Sequence, residues 1–161
     1  MSNIVYLIGD ATDPQGGDEM KIIPHIVNCK GAWGAGFVLA LSKKWPDVEK
    51  GYKQWHINEG KDLPLGQVQF VPAENRIEVA NMVGQTLGGK KPIRLSAVKK
   101  CMREVFNRAR QLNATIHCPR FGCGLTGSNW GEIEPLIQEE WVNKGLTVVV
   151  YDFEPTAVVI S

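Results

Sequence analysis

The chain has 161 residues, of which 43% are hydrophobic and 22% charged, and its formal net charge is +1. This length suits a single domain, residues 1–161, with a sizeable core. The near-neutral balance argues against nucleic acid as a partner, because phosphate backbones are bound by basic surfaces. We expect a monomer.

The cysteines are Cys29, Cys101, Cys118 and Cys123, without a C-x-x-C pair or a Cys/His spacing typical of zinc. We therefore expect free, mostly buried thiols, no metal and no cofactor. No run approaches the ~20 apolar residues that span a bilayer, and the first residues lack the pattern of a signal peptide. These features predict a cytoplasmic protein with no membrane partner.

The first half of the chain alternates strand and helix patterns. Ile4–Ile8 is a short apolar run that predicts a buried strand, and Lys21–Asn28 has extended apolar character. The apolar spacing becomes helical over Phe37–Trp45, and Pro46 marks the end of that helix. A second short helix is expected next, with three large side chains on one face, those of Val48, Tyr52 and Trp55.

Two strands and a long helix follow. Val68–Val71 and Ile77–Met82 are strand candidates separated by a polar turn. Leu95–Leu112 places its apolar residues on one face at a period of 3.6, which predicts an amphipathic helix. Thr115–Cys118 is then expected to be a strand.

The last part of the chain predicts one more helix and strand. The helix begins near Trp130, with Asn129 and Glu132 as a capping pair, and Gly145 is a plausible stop for it. Leu146–Phe153 is an apolar strand typical of the centre of a sheet. Alternating strands and helices predict an α/β fold, a three-layer α/β/α sandwich with its ligand site at the carboxyl ends of the strands.

The first glycine-rich loop lies within Ile26–Phe37 and leads directly into a helix. Gly31, Gly34 and Gly36 allow positive φ angles and close approach of backbone N–H groups to a ligand. The start of the helix adds unsatisfied donors and a positive dipole end, which favour phosphate. The alternative is a surface hinge capped by Trp33, a side chain that we expect to be partly exposed.

The second glycine-rich loop spans Pro119–Trp130. Gly122, Gly124 and Gly127 match the dinucleotide fingerprint G-x-G-x-x-G, and Asp152 closes the next strand, where a ribose-binding acid is found. We set this match aside because the helix begins too late and too few strands follow. The loop can still bind a pyrophosphate through its N–H groups.

Polar and aromatic residues near strand ends are further candidates. Asp10 is placed to accept a hydrogen bond from an adenine amino group, and a turn aspartate bonded to its own backbone is an equally good interpretation. Tyr151 or Phe153 is a candidate to stack on a purine, although a core role is the more frequent case. His56 and His117 have no motif around them, so we expect them to be structural or exposed.

Three separated motifs together resemble the macrodomain family. They are GDATD at Gly9–Asp13, VNCKGAWGAGF at Val27–Phe37 and PRFGCGLTG at Pro119–Gly127, in the family's order and spacing. The resemblance implies an α/β/α fold with a mixed, mostly parallel central sheet. It also implies binding of ADP-ribose, of a 1″-substituted derivative, or of an ADP-ribosylated protein.

The resemblance assigns roles to particular residues. It implies that Asp10 holds the adenine amino group, that Ala11 donates its N–H to the same ring, and that Asn28 lies beside the distal ribose. It implies that the pyrophosphate and distal ribose are lined by Gly34, Ala35, Gly36 and Phe37. The facing phosphate loop would consist of Gly122, Cys123, Gly124, Leu125 and Thr126.

Within the family, the chain departs from two hydrolase types. Val27–Lys30 replaces the Asn-Ala-Ala-Asn stretch of the aspartyl-ADP-ribose hydrolases. The W-G-x-G element resembles the branch containing the chromatin-remodeller macrodomain and the terminal ADP-ribose glycohydrolase, which uses a lysine and an aspartate. The corresponding residues here are Gly84 and Thr126, so that lysine chemistry is expected to be absent. The first loop and Trp45–Tyr52 most resemble the ADP-ribose-1″-phosphate phosphatases, whose functional histidine corresponds to His25.

The resemblance therefore favours a hydrolase acting at the distal ribose, with His25 as general acid or base and Asn28 beside it. In a regular strand these two side chains point to opposite faces, so both reach one ligand only if the strand bulges or ends between them. A structural histidine is an equal alternative. A non-catalytic reader of ADP-ribose and a de-ADP-ribosylating ester hydrolase remain open, and a nicotinamide oxidoreductase is the least favoured.

Overall fold

The computed structural model of the chain describes residues 3–123 and 130–152. The elements in these ranges are β1 (Val5–Ile8), β2 (Lys21–Asn28), α1 (Phe37–Lys44), α2 (Pro46–Glu59), β3 (Val68–Glu74), β4 (Ile77–Gln85), α3 (Leu95–Leu112), β5 (Thr115–Cys118), α4 (Trp130–Glu140), a 3-10 helix (Val142–Lys144) and β6 (Val148–Asp152). None of the helices in the described part of the chain is long and apolar enough to cross a membrane.

The strands form one sheet in the order β1-β6-β5-β2-β4-β3. Only β3 runs antiparallel to its neighbour, and the other four adjacent pairs are parallel. The predicted mixed, mostly parallel sheet is therefore confirmed. Because β1, β2 and β5 are parallel members of this sheet, the segments that follow them all emerge at the same edge.

Helices cover both faces of the sheet. Ile22 and Ala80 belong to the larger apolar cluster, with residues of α3 and α4. Their chain neighbours Ile23 and Val79 pack instead with residues of α1 and α2. Adjacent strand residues point to opposite faces, so this partition gives the three layers predicted for an α/β/α sandwich. It also explains why β2 has a nearly continuous apolar sequence.

Two details differ from the sequence expectations. The sequence predicts a buried β1, but its residues are exposed, up to 62% at Ile8, because among the described strands it lies at the edge and pairs only with β6. Gly145, with φ 99°, ends the 3-10 helix and not α4, which stops at Glu140. Pro46 ends α1 as predicted and is also the first residue of α2, where its missing N–H costs nothing.

Candidate functional site

The two glycine-rich loops diverge from neighbouring strands. β2 and β5 are adjacent and parallel. The chain leaves β2 toward α1 on one face of the sheet, and it leaves β5 toward α4 on the other. Such a divergence opens a crevice at the carboxyl ends of the strands, which is where α/β folds place their ligands.

Asn28 organises the first turn of the loop after β2. Its Oδ1 accepts hydrogen bonds from the N–H groups of Lys30 (2.9 Å) and Ala32 (3.2 Å), and its Nδ2 donates to the Ala32 carbonyl (2.7 Å). The Tyr52 hydroxyl donates to the Asn28 carbonyl at 2.5 Å. Asn28 is 7% exposed, so its amide shapes the loop from inside.

The start of α1 is exposed and uncapped. Gly36, the N-cap, has φ 77°, and no side chain caps the helix and no acidic residue occupies its first turn. Gly34, Ala35 and Gly36 are exposed. The first N–H groups of a helix have no intrahelical partner and carry the positive end of the dipole. The predicted segment Gly34–Phe37 therefore presents an uncapped set of donors suited to an anion.

His25 lies beneath the first loop. Its ring is 5.7 Å from the Trp33 ring and 5.9 Å from the Phe37 ring, between centroids. Trp33 is half-buried, as expected, and its indole N–H donates to the Val38 carbonyl at 3.0 Å. Only 2% of His25 is exposed. Burial lowers the pKa of His25 to about 4, against a weaker opposing effect of its hydrogen bond with Asn81, so the ring is neutral at neutral pH.

β2 itself neither ends nor gains an extra residue between His25 and Asn28. It pairs in register with β4 from Lys21 to Val27, and the register then shifts, so that Asn28 lies opposite Gln85 and the extra residue, Gly84, belongs to β4. The two side chains have different partners, since His25 bonds to β4 and Asn28 to its own loop. That both contact one ligand stays a prediction.

The second loop begins with a close approach at Gly122. Its φ is 78°, and an added Cβ would lie 3.1 Å from Ile133 Cδ1 and 3.2 Å from Ile26 Cδ1, which favours glycine. Cys123 is half-buried, and burial raises the pKa of its thiol. The other residues predicted to form this loop lie outside the described residues: Gly124, Leu125, Thr126, Gly127 and the capping residue Asn129.

Arg120 connects the two ends of the second loop. Its guanidinium pairs with both carboxylate oxygens of Asp152, at 2.6 and 3.0 Å. It also lies 5.2 Å from the ring centres of Tyr6 and Trp130. Because Arg120 precedes the loop and Trp130 follows it, this contact holds the loop ends together. The Asp152 carboxylate is thus a partner of Arg120.

Asp10, which follows β1 at the same edge of the sheet, forms a turn. Its Oδ1 accepts hydrogen bonds from the N–H and the hydroxyl of Thr12, both at 2.8 Å. Asp10 itself is exposed, while Ala11 is buried with 2% exposure. The interpretation as a turn aspartate is therefore correct for Oδ1. Oδ2 accepts no bond from the described residues, so the predicted contact with an adenine amino group remains compatible with the turn.

Tyr151 is anchored in the core below Asp10. Its hydroxyl accepts the Gln15 N–H (2.8 Å) and lies 2.7 Å from Nδ1 of His117, and the side chain packs with Ala11 and Val149. It is 4% exposed, so in this conformation its ring is covered, and stacking on a purine stays a prediction. Phe153 lies outside the described residues. His117 is 1% exposed with both ring nitrogens bonded, which confirms a structural role.

Sequence reasoning missed the groups that hold His25. Asn81 is fully buried in β4, and its Oδ1 lies 2.5 Å from Nε2 of His25. Its Nδ2 donates to Oε1 of Gln69 on β3 at 3.0 Å. The available signal was a single amide in the middle of the apolar strand Ile77–Gln85, because a buried amide needs polar partners.

Comparison with known proteins gives a consistent assignment. The Macro domain family model matches residues 25–137. The chain is 32% identical over 162 residues to Chromodomain-helicase-DNA-binding protein 1-like of Danio rerio, covering 92% of this chain and 15% of that protein. It is 26% identical over 168 residues to ADP-ribose 1″-phosphate phosphatase of Saccharomyces cerevisiae, covering 86% and 93%.

A solved structure agrees with the family model. The macrodomain protein from Streptomyces coelicolor is 43% identical with a TM-score of 0.84, and the match covers 94% of this chain and 100% of that chain. The chain spans less than a fifth of the length of the Danio rerio relative but nearly all of the yeast relative. The family model, the sequence relatives and the shared fold lead to one conclusion: this chain belongs to the macro domain family.

Proposed function

We propose that the chain binds ADP-ribose in the crevice between the two glycine-rich loops. The observation that carries this proposal is the exposed, uncapped start of α1 at Gly34–Gly36, which follows β2, while Gly122 follows the adjacent parallel strand β5. The first N–H groups of α1 suit one phosphate of a pyrophosphate, and the family resemblance implies that the second loop binds the other. Oδ2 of Asp10, which accepts no bond from the residues that the structure describes, suits an exocyclic amino group such as that of adenine. Family membership supports the same ligand.

The reaction we propose is hydrolysis of a phosphate ester at the 1″ position of the distal ribose. A water oxygen attacks the phosphorus, the bond from phosphorus to the ribose oxygen breaks, and a proton from the water ends on the products, ADP-ribose and phosphate. N–H groups of the loops stabilise the developing negative charge. The neutral ring of His25 accepts the proton of the attacking water. Because His25 lies under Trp33 and Phe37, this role requires the first loop to move when the substrate binds.

The yeast relative supports this choice because its name is ADP-ribose 1″-phosphate phosphatase and nearly its whole length matches. The packing at Gly84 argues against the glycohydrolase alternative. A Cβ at position 84 would lie 2.8 Å from Val98 Cγ2 and 3.3 Å from Ile26 Cγ2. No lysine can be accommodated there without moving both side chains. The second position of that chemistry, Thr126, lies outside the described residues.

A non-catalytic reader of ADP-ribose or of an ADP-ribosylated protein is the second candidate. One observation favours it: His25 is 2% exposed and its Nε2 is already bonded to Asn81. A buried, hydrogen-bonded histidine fits a structural role as well as a catalytic one.

Two measurements test the proposals. ADP-ribose should raise the melting temperature, and the absence of a shift at millimolar ligand would refute binding. The protein should release phosphate from ADP-ribose-1″-phosphate, and His25→Gln, which keeps a donor for Asn81, should bind ADP-ribose normally and release phosphate at least 100-fold more slowly, the low end for loss of a general base. His117→Gln is the matched control, because it also replaces a buried histidine. Binding without turnover in the wild type would favour the reader.

A further inference from the structure

A chain of side-chain amides runs from His25 across two strands to a helix. The Asn81 amide lies next to His25, the Gln69 amide lies next to Asn81, and Nε2 of Gln69 is 2.9 Å from the carbonyl oxygen of Gly51 on α2. His25 and Asn81 are buried, so water competes little for the bond between them, and Gln69 is half-buried.

The Gly51 carbonyl, at the end of this series of hydrogen bonds, fixes the direction of all of them. The Gly51 carbonyl can only accept, so Gln69 must present its NH₂ group to it and its Oε1 to Asn81. Asn81 then presents Nδ2 to Gln69 and Oδ1 to His25. Because Oδ1 can only accept, Nε2 of His25 must carry the proton. Reversing any one amide would put two donors or two acceptors face to face.

The other ring nitrogen of His25 is then the basic one. A neutral imidazole carries one proton, so protonation at Nε2 leaves a lone pair at Nδ1. Nδ1 accepts no hydrogen bond from the described residues. Every fully buried side-chain nitrogen and oxygen of the described part of the chain has a partner. Nδ1 therefore belongs to the small fraction of His25 that remains accessible.

We propose that Asn81 and Gln69 are positioning residues that hold His25 in the Nε2-protonated tautomer and present Nδ1 as its proton acceptor. The catalytic importance of this arrangement rests on the proposed hydrolase function, whereas the tautomer itself does not. Asn81 is fully buried in β4, and Gln69 lies on β3 against α2. Both act on the reaction only through the imidazole, since they decide which nitrogen is basic and how the ring is oriented.

The tautomer can be read directly by long-range ¹H–¹⁵N correlation spectra of the ¹⁵N-labelled protein at neutral pH, with His25→Gln to assign the signals. We expect Nε2 of His25 to be protonated and Nδ1 to be bare. Protonation at Nδ1, or a doubly protonated ring, would overturn the proposal. His117 is an internal reference, because hydroxyl groups occupy both its nitrogens and fix neither tautomer.

Two substitutions of the same residue separate positioning from general packing. Gln69→Leu removes the acceptor for Asn81, which is then free to turn, and the spectrum should show a mixture of tautomers. Gln69→Glu loses the donor to the Gly51 carbonyl, so its carboxylate must turn away from that oxygen, but it keeps an acceptor for Nδ2 of Asn81 and should retain the Nε2-protonated ring. Gln54→Leu is the control, because Gln54 bonds only to Asn58 on the exposed face of α2. A single unchanged tautomer in Gln69→Leu would overturn the role of Gln69.

Kinetics separate this inference from the proposed function. In Gln69→Leu, kcat for phosphate release should fall at least tenfold while the Kd for ADP-ribose changes less than about threefold, since the general base contributes on the order of 100-fold or more. Gln69→Glu should recover most of kcat. If the wild-type protein shows the expected tautomer but releases no phosphate, the proposed hydrolase function is refuted and the positioning role of Asn81 and Gln69 stands. Turnover that is equal in all three proteins would refute the positioning.

Discussion

The two buried histidines should make the fold sensitive to mild acid. Burial lowers the pKa of His25 and of His117 from 6.5 to about 4, and for His117 the nearby Lys21 ammonium adds to the effect. Between these pH values the unfolded chain binds protons that the folded protein does not. The free energy of unfolding therefore falls as the pH is lowered through 6.5, and this contribution stops changing below about pH 4.

The size of the effect follows from proton linkage. With a pKa of 6.5 in the unfolded chain and about 4 in the folded protein, each histidine lowers the free energy of unfolding by about 2 kcal/mol between pH 7 and pH 5. The two together give about 4 kcal/mol, a large part of the 5–15 kcal/mol typical of a domain. Carboxylates contribute little in this window because most of them titrate below it.

Urea unfolding followed by circular dichroism at pH 7, 6 and 5 measures the loss directly. A constant m-value would show that the same two states are compared at each pH. His117→Gln should remove about half of the pH dependence, since one of the two titrations disappears. A loss below about 1 kcal/mol in the wild type would refute the conclusion that both rings are held neutral by burial, and with it the neutral His25 on which the proposed mechanism depends.

Three further predictions concern packing, the adenine end of the crevice and the second loop. Gly84→Ala should destabilise the protein by about 1–3 kcal/mol through overpacking. In Gly51→Ala the added Cβ meets nothing closer than 3.6 Å, so this variant should stabilise α2 by about 0.5–1 kcal/mol, and urea unfolding of both variants tests the contrast. Asp10→Asn keeps an acceptor for its turn but replaces the free carboxylate oxygen with a donor, so ADP-ribose affinity should fall roughly tenfold by calorimetry with little change in stability; an unchanged affinity would place the adenine elsewhere. In Arg120→Lys the ammonium group cannot pair with both oxygens of Asp152 or lie flat over the two aromatic rings, so the free energy of unfolding should fall by about 1 kcal/mol. An unchanged melting temperature would mean that these contacts contribute no net stability.

The elements of this fold are predictable because their signals are local. The apolar period of Leu95–Leu112 and the run in Lys21–Asn28 gave the bounds of α3 and β2 directly. The glycines of the first loop mark positions where the backbone needs positive φ, as at Gly31 and Gly36. Order and spacing of the motifs were sufficient to indicate the family, which the family model confirms.

The position of β1 in the sheet could not be predicted from local sequence signals. Val5–Ile8 is as apolar as a central strand, yet it is exposed at the edge of the sheet. An apolar run favours a strand but does not specify its neighbours, because strand order depends on pairings between distant parts of the chain. The same applies to Tyr151, whose hydroxyl is occupied by Gln15 and His117, partners far from it in sequence.

His25 is the clearest case. Its residue type and its place before the glycine-rich loop follow from the sequence and make it a candidate acid or base. Its burial under Trp33 and its neutrality follow from the packing around the ring. The nitrogen that carries its proton follows from Asn81 and Gln69, which lie 56 and 44 positions away along the chain. A protonation state depends on the groups that surround the ring in space, so only the folded arrangement of three neighbouring strands and a helix defines it.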